Sequence, residues 1–272
     1  MDPSRRAFPI SAVAHVPAHG ASVVTPIGVI AALPGEGRAW ISRRFLFLRV
    51  DHTYLPGAGV CLRISGIGSG PARRAAEVLL RGGVRALVSW GSAGGLAPDL
   101  VSGQLLLPER ILDGAGGEYG VDQDWHGRLR TRLAHGPIPD TGPLLGSPDV
   151  LEDAADKRAL YRRHGARGVD MESAALAALA RAAAVPFLVV RAVADPADAA
   201  VPASITRAID AAGRVRLARL VAGVAGRPAQ WPHLLRLGGY FRAAQGTLGR
   251  VLEVAGLRLG LDDESPSAGA ED

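Results

Sequence analysis

Gly28 to Leu33 form an apolar run that stops at Pro34-Gly35. The run is short and does not alternate with polar residues, which predicts a strand buried on both faces with a loop behind it. Val60 to Ser65, Ala86 to Trp90, and Gln104 to Leu107 continuing toward Leu112 read the same way. So does Val185 to Val193, which ends at Ala194-Asp195-Pro196. Between these strands, an alanine-rich stretch reaching about Arg81 and the segment Glu172 to Ala184 read as helices. Strands that alternate with helices predict an α/β sheet covered on both faces. Ligands of such sheets sit at the carboxyl ends of the strands, and the glycine-rich turns of this chain fall there.

The remainder divides by composition. Residues 1–26 carry Pro3, Pro9, Pro17 and Pro26, and His15 and His19 break any apolar stretch, so a secretory signal is not expected and a flexible arm is. Residues 27–206 form the α/β domain. Within it, Gly114 to Asp149 is rich in Gly, Pro, Asp and His without clear periodicity and reads as a long loop or insertion over the site. Residues 207–258 read as a basic helical extension, and residues 259–272 as a disordered acidic tail. No internal repeat is evident.

Composition narrows the function classes. Hydrophobic residues make up 48% of the 272 and charged residues 21%, enough for a sizeable core. No apolar run approaches the roughly 18–20 residues of a membrane-spanning helix. Cys61 is the one cysteine, so an intrachain disulfide and a thiolate metal cage are excluded; it reads as a small buried hydrophobe. The seven histidines lack the spacing of a helical metal site, and no metal or organic cofactor is expected. His126 reads as a surface residue. The net charge is +5 and the pI about 10.1. Only Lys157 among the basic residues is a lysine. The excess charge sits in residues 207–258, where nine arginines face only Asp210 and Glu253. There it is interleaved with Trp231, Leu234, Leu235, Tyr240, Phe241 and Leu248. That pattern suits a helix at a membrane interface, or equally a helical pair on the domain with arginines turned outward. Aromatic content of 5% and the lack of a recognition motif argue against nucleic acid.

Three carboxylates fall at strand ends: Glu36 after the first strand, Glu172 at a helix start, and Asp195 where the last strong strand stops. Each alone has a plain explanation as a loop acid, a helix-terminal acid or a turn initiator. All three at one edge of one sheet point to acid–base chemistry. Gly66-x-Gly68-x-Gly70 falls short of a dinucleotide fingerprint.

Four stretches carry a resemblance. Ser65-Gly66-Ile67-Gly68, Gly91-Ser92-Ala93-Gly94-Gly95-Leu96, Val169-Asp170-Met171-Glu172-Ser173-Ala174-Ala175 and Val185 through Asp195 resemble, in order and spacing, the purine nucleoside phosphorylase and methylthioadenosine/S-adenosylhomocysteine nucleosidase superfamily. The resemblance runs from about residue 28 to about 205. It implies a three-layer α/β/α sandwich around a central mixed sheet, and cleavage of a nucleoside N-glycosidic bond. It implies Asp195 as the acid at purine N7, Glu172 on the ribose hydroxyls with Met171 beside it, and Ser92, Ala93, Gly94 and Asp170 around the purine. Glu36 aligns with the glutamate that activates water in hydrolytic members. A homodimer in the cytoplasm is the implied assembly.

Two departures matter. Leu33-Pro34-Gly35-Glu36-Gly37-Arg38 lacks the usual run of acids and is also similar to a phosphate-binding loop one residue short. Gly35 and Arg38 would then cradle phosphate as co-substrate, with Arg43, Arg44 or Arg63 adding contacts. Water and phosphate both stay open as nucleophile; water is favoured because a carboxylate in that place repels the anion. Ala194 stands where many relatives carry a hydroxyl, which removes one hydrogen bond to Asp195. The shortened acid loop and the C-terminal extension are similar to the hopanoid-associated phosphorylase branch. That branch implies removal of adenine from adenosylhopane, a lipid-linked nucleoside, with peripheral contact at the inner membrane through 207–258. A methylthioadenosine/S-adenosylhomocysteine nucleosidase, a general purine nucleoside phosphorylase and a non-catalytic nucleoside-binding module are the alternatives.

Overall fold

The computed structural model describes residues 26–41, 52–55, 58–200 and 231–261. The N-terminal arm, Arg43, Arg44, the first part of the basic extension and the acidic run from 262 lie outside the described residues. The strands are β1 (Ile27–Ala31), β2 (His52–Leu55), β3 (Val60–Ile64), β4 (Ala86–Gly95), β5 (Leu105–Leu106), β6 (Arg110–Leu112), β7 (Glu118–Gly120), β8 (Pro139–Asp140), β9 (Leu144–Gly146), β10 (Gly168–Asp170) and β11 (Phe187–Asp195). The helices are the single turn α1 (Pro34–Gly37), α2 (Ser69–Arg81), α3 (Gln123–Arg132), α4 (Ala154–His164), α5 (Ser173–Ala182) and α6 (Trp231–Ala255), with short 3-10 turns at Arg38–Trp40 and Leu133–His135.

All eleven strands of the described residues join one mixed sheet, in the order β2-β3-β1-β4-β10-β9-β6-β7, with β11 pairing β4 and β5, and β5 pairing β8. β1 lies parallel between β3 and β4, and β11 is parallel to β4 along its length. Each central strand is buried throughout because its two faces feed two cores. Ile27, Val29, Ala31, Val88, Trp90, Leu188 and Val190 point to one side with Trp125 and Leu129 of α3 and Leu248, Val251 and Leu252 of α6. Ile30, Leu87, Phe187, Val189 and Val193 point to the other with Ala72, Ala75, Ala76 and Leu79 of α2 and Leu176, Ala177 and Ala180 of α5. The expected three layers and mixed sheet are therefore present, and Cys61 is buried in the second core.

Three expectations are corrected. Gly114 to Asp149 is not a structureless loop: it holds β7, α3, β8 and β9, with α3 started by Asp122, whose carboxylate accepts from Trp125 N at 2.8 Å. Its apolar residues are too thinly spread for periodicity to show. His126 is not on the surface; it is buried, and its ring Nε2 lies 2.9 Å from the Leu107 carbonyl oxygen. Finally, of the two readings of the basic extension and its tail, α6 takes the packed one. Ala244, Leu248, Val251 and Ala255 close the core over β11 and β4. Leu259 and Leu261, assigned above to a disordered tail, are buried too, and the Leu259 carbonyl accepts from Trp125 Nε1. The arginines of this region disguised a helix whose inner stripe is apolar. Among the described residues, no helix is long and apolar enough to cross a membrane.

Leu248→Ala should lower stability by about 2–5 kcal/mol, as for any leucine fully buried in a core. Urea unfolding measures it; a change under about 0.5 kcal/mol, the range for surface substitutions, would return α6 to the periphery.

Candidate active site

The site arises from a mismatch in strand length. β1 stops pairing with β4 at Ala31↔Trp90, and β10 takes up β4 only at Gly94 and Gly95. One edge of β4 is thus free of sheet partners from Gly91 to Ala93, at the carboxyl end of the sheet. Glu36 fills that gap. Its Oε1 accepts from Ser92 N at 2.9 Å and Ser92 Oγ at 2.6 Å, and its Oε2 from Ala32 N and Leu33 N at 3.1 and 3.0 Å. The bond from Leu33 N is the acidic half of a capping box on α1. Only glycine fits at 91: a Cβ there would come within 2.8 Å of both the Glu36 carboxylate and Arg191 Nη1.

Arg191 interrupts the apolar run of β11 and is almost fully buried. Its Nη2 lies 2.7 Å from Asp170 Oδ2 and 3.4 Å from Glu172 Oε2 and donates to Ser89 Oγ at 2.7 Å, while Nη1 donates to the Ser92 carbonyl at 3.1 Å. Asp170 also accepts a very short bond from Ser173 Oγ and one from Ser173 N. With its carboxylate so occupied, Asp170 holds Arg191 in place. Glu172 precedes α5 and accepts from Gly68 N at 2.8 Å. Gly68 presents that N–H with φ of 105°, a conformation that disfavours any side chain. Burial pushes the Glu172 carboxyl up to about 7, against the pull of Arg191 and with a push from Asp170.

Asp195 sits where β11 bulges against β4: the register slips between Val193 and Asp195, which re-aims the carboxylate. It faces Lys157 of α4, with Nζ 2.5 Å from Oδ2. Burial raises the Asp195 carboxyl above the ordinary aspartate range, while the ammonium of Lys157 opposes the rise.

These groups surround one cavity of about 240 Å³. Glu36, Ser92, Ala93, Gly94, Asp170, Met171, Glu172 and Asp195 all line it, as do Arg191 and Lys157, which sequence reasoning did not single out as site residues. The signal for Arg191 was a charge inside an apolar strand; for Lys157 it was being the one lysine. Apolar residues complete the lining, namely Leu33, Ile67, Val150, Leu151 and, from α6, Phe241, together with the exposed acid Asp149. The suggested phosphate cradle is not assembled. Arg38 is exposed and does not line the cavity, and Gly35 faces α6, where a Cβ would meet Gln245 and Phe241. Arg63 stays outside as well. Among the described residues, no group of acids, histidines and cysteine is placed to hold a metal ion.

A carboxyl raised by burial keeps its proton in the folded chain at pH values where the unfolded chain has lost it. Between about 4.5 and 7, the Glu172 contribution therefore makes stability fall as pH rises, with no further loss above that range. Urea midpoints at pH 5 and pH 8 should drop more for the wild type than for Glu172→Gln; equal drops would contradict the assignment.

A family model described as the phosphorylase superfamily matches residues 26–224. The fold is similar to that of 5′-methylthioadenosine/S-adenosylhomocysteine nucleosidase from Neisseria meningitidis in complex with methylthio-immucillin-A, at 17% identity and a TM-score of 0.62, covering 85% of this chain and 99% of that one. It is also similar to futalosine hydrolase of Helicobacter pylori strain 26695, at 15% identity and a TM-score of 0.62, covering 85% and 97%. A mutant methylthioadenosine/S-adenosylhomocysteine nucleosidase from Helicobacter pylori, holding 5′-methylthioadenosine in its active site, gives 15% identity and a TM-score of 0.61 over 84% and 96%. With its central motifs, its sheet and most of its length accounted for, this chain belongs to the phosphorylase superfamily of enzymes.

Proposed function

We propose that the chain hydrolyses the N-glycosidic bond of an adenine nucleoside bearing an apolar 5′ substituent, releases adenine, and acts on adenosylhopane. The observation that carries this is the convergence of Glu36, Glu172 and Asp195, each held by different partners, on a single cavity. Breaking C1′–N9 sends the bonding pair to the purine and leaves positive charge on the ribose. Asp195, made a weaker acid by burial, holds a proton to give to N7. Glu172 is placed to accept from ribose hydroxyls and to face the cationic sugar. Glu36, rigid under four hydrogen bonds, orients water toward C1′; an oxocarbenium-like centre asks little base strength of it.

Water is favoured over phosphate because a carboxylate occupies the loop and Arg38 does not line the cavity. The apolar lining residues support a hydrophobic 5′ group, and Leu235 and Arg236, exposed on α6, suit peripheral contact with an anionic bilayer. A homodimer accompanies this reading as an expectation from the family resemblance.

Adenine release from adenosylhopane in mixed vesicles, and from methylthioadenosine, S-adenosylhomocysteine and adenosine, should be followed with and without phosphate. Turnover independent of phosphate is expected, with adenosylhopane preferred. Asp195→Asn and Glu36→Gln should each lose on the order of 10²–10⁴-fold in kcat/KM. No release from any purine nucleoside would overturn the function, strict phosphate dependence the hydrolytic step, and preference for methylthioadenosine the substrate.

A further inference from the structure

We propose that Lys157 is a positioning residue for departure of the base: it acts through Asp195, holding the carboxylate that Asp195 becomes when its proton passes to the purine. The inference rests on the function proposed above and adds a residue to it. Lys157 is the one buried residue of α4, with no exposed surface. Its Nζ donates to Asp195 Oδ2 at 2.5 Å and to the carbonyls of Pro196 and Ala199 at 3.0 Å each, with the Asp195 carbonyl at 3.4 Å. The three N–H groups of an ammonium thus have three close acceptors, two of them in the turn that follows the carboxylate. Ala194 brings no hydroxyl to Asp195, so the lysine supplies the side-chain contact.

The charges around the cavity leave this task to Lys157. Its other ionisable groups are Glu36, Asp149, Asp170 and Glu172, all acids, and Arg191, which is engaged by Asp170 and Glu172. Among the described residues, Lys157 is the cation in ion-pair contact with Asp195. In the step itself the Asp195 O–H bond breaks and the N7–H bond forms. The electron pair stays on the carboxylate, opposite the ammonium. Burial alone would hold the proton too firmly; an adjacent cation stabilises the conjugate base and eases its release.

Lys157→Met should therefore do two things in an active preparation. The basic limb of kcat/KM for a purine nucleoside, where Asp195 loses its proton, should move up by roughly one pH unit or more. The rate on that nucleoside should fall about tenfold or more, while p-nitrophenyl riboside, whose leaving group needs no proton, falls less than about threefold. Lys157→Arg, which keeps a cation, should leave the limb near its wild-type position. Equal losses on both substrates with an unmoved limb would reduce Lys157 to a structural tie and overturn the proposal. Should Lys157→Met not fold, the wild type still decides. A ¹³Cε-lysine label gives one signal, because the chain has one lysine. That signal should titrate with the basic limb and lose the step in Asp195→Asn; a flat signal in the wild type overturns the proposal. If the wild type releases no base from any purine nucleoside, the function above has failed rather than this inference.

Discussion

The structure turns on one buried guanidinium shared between two carboxylates. Arg191 on β11 meets Asp170 at 2.7 Å and Glu172 at 3.4 Å, and also reaches Ser89 and the Ser92 carbonyl on β4. It therefore ties together β4, β10, β11 and the start of α5 at the point where the sheet opens. Removing one partner of such a buried cluster costs about 3–5 kcal/mol, because an uncompensated charge remains. The sharing is unequal. Asp170 holds the close contact and two bonds from Ser173, and Glu172 is left with what remains of the positive charge. That inequality lets burial dominate at Glu172 and brings it near 7, whereas a private arginine would hold it down.

Three acids on one cavity thus come to have three characters through their donors. Glu36 has two backbone N–H groups from its own turn and both donors of Ser92, and is fixed in place. Glu172 has one backbone N–H and a distant, shared cation. Asp195 has a private ammonium. Burial raises both Glu172 and Asp195, so the roles proposed for them rest on where each stands on the cavity and not on these donors alone. The glycines at 68 and 91 are the backbone counterpart of these donors. One presents an N–H from a conformation closed to side chains, and the other leaves room for two opposite charges to lie against β4.

The long central strands β1, β3, β4 and β11 were legible because each is an apolar run bounded by Gly, Pro or Asp, whereas the short strands β2, β7, β8, β9 and β10 were not. The ends of the long strands were less plain: β4 continues through Gly91–Gly95, where glycine ordinarily marks a turn, because β11 pairs with it nearly to its end. The three carboxylates were legible by position. α4 was not, although Asp153 caps its start and Gly165, left-handed, its end. Pattern reading looks for apolar residues on the buried face, and the residue α4 buries is a lysine. The same blindness hid Arg191. Charges inside a fold declare themselves only through their partners, and those partners lie well beyond the span of a local motif, 19 residues away for Glu172 and 38 for Asp195.

In α6, charge and pattern pull against each other. Nine arginines left residues 207–258 open between an interfacial helix and helices packed on the domain. Yet Ala244, Leu248, Val251 and Ala255 recur at helical spacing and form a stripe on the sheet, leaving Arg236, Arg242 and Arg250 to the exposed side. Seated there, the helix brings Phe241 to the cavity and lays Phe241 and Gln245 against Gly35, in the loop that carries Glu36. The C-terminal segment is therefore continuous with the site it roofs. Through Phe241 the helix contributes directly to the lining of the cavity. A substrate whose 5′ group is apolar would meet that side chain.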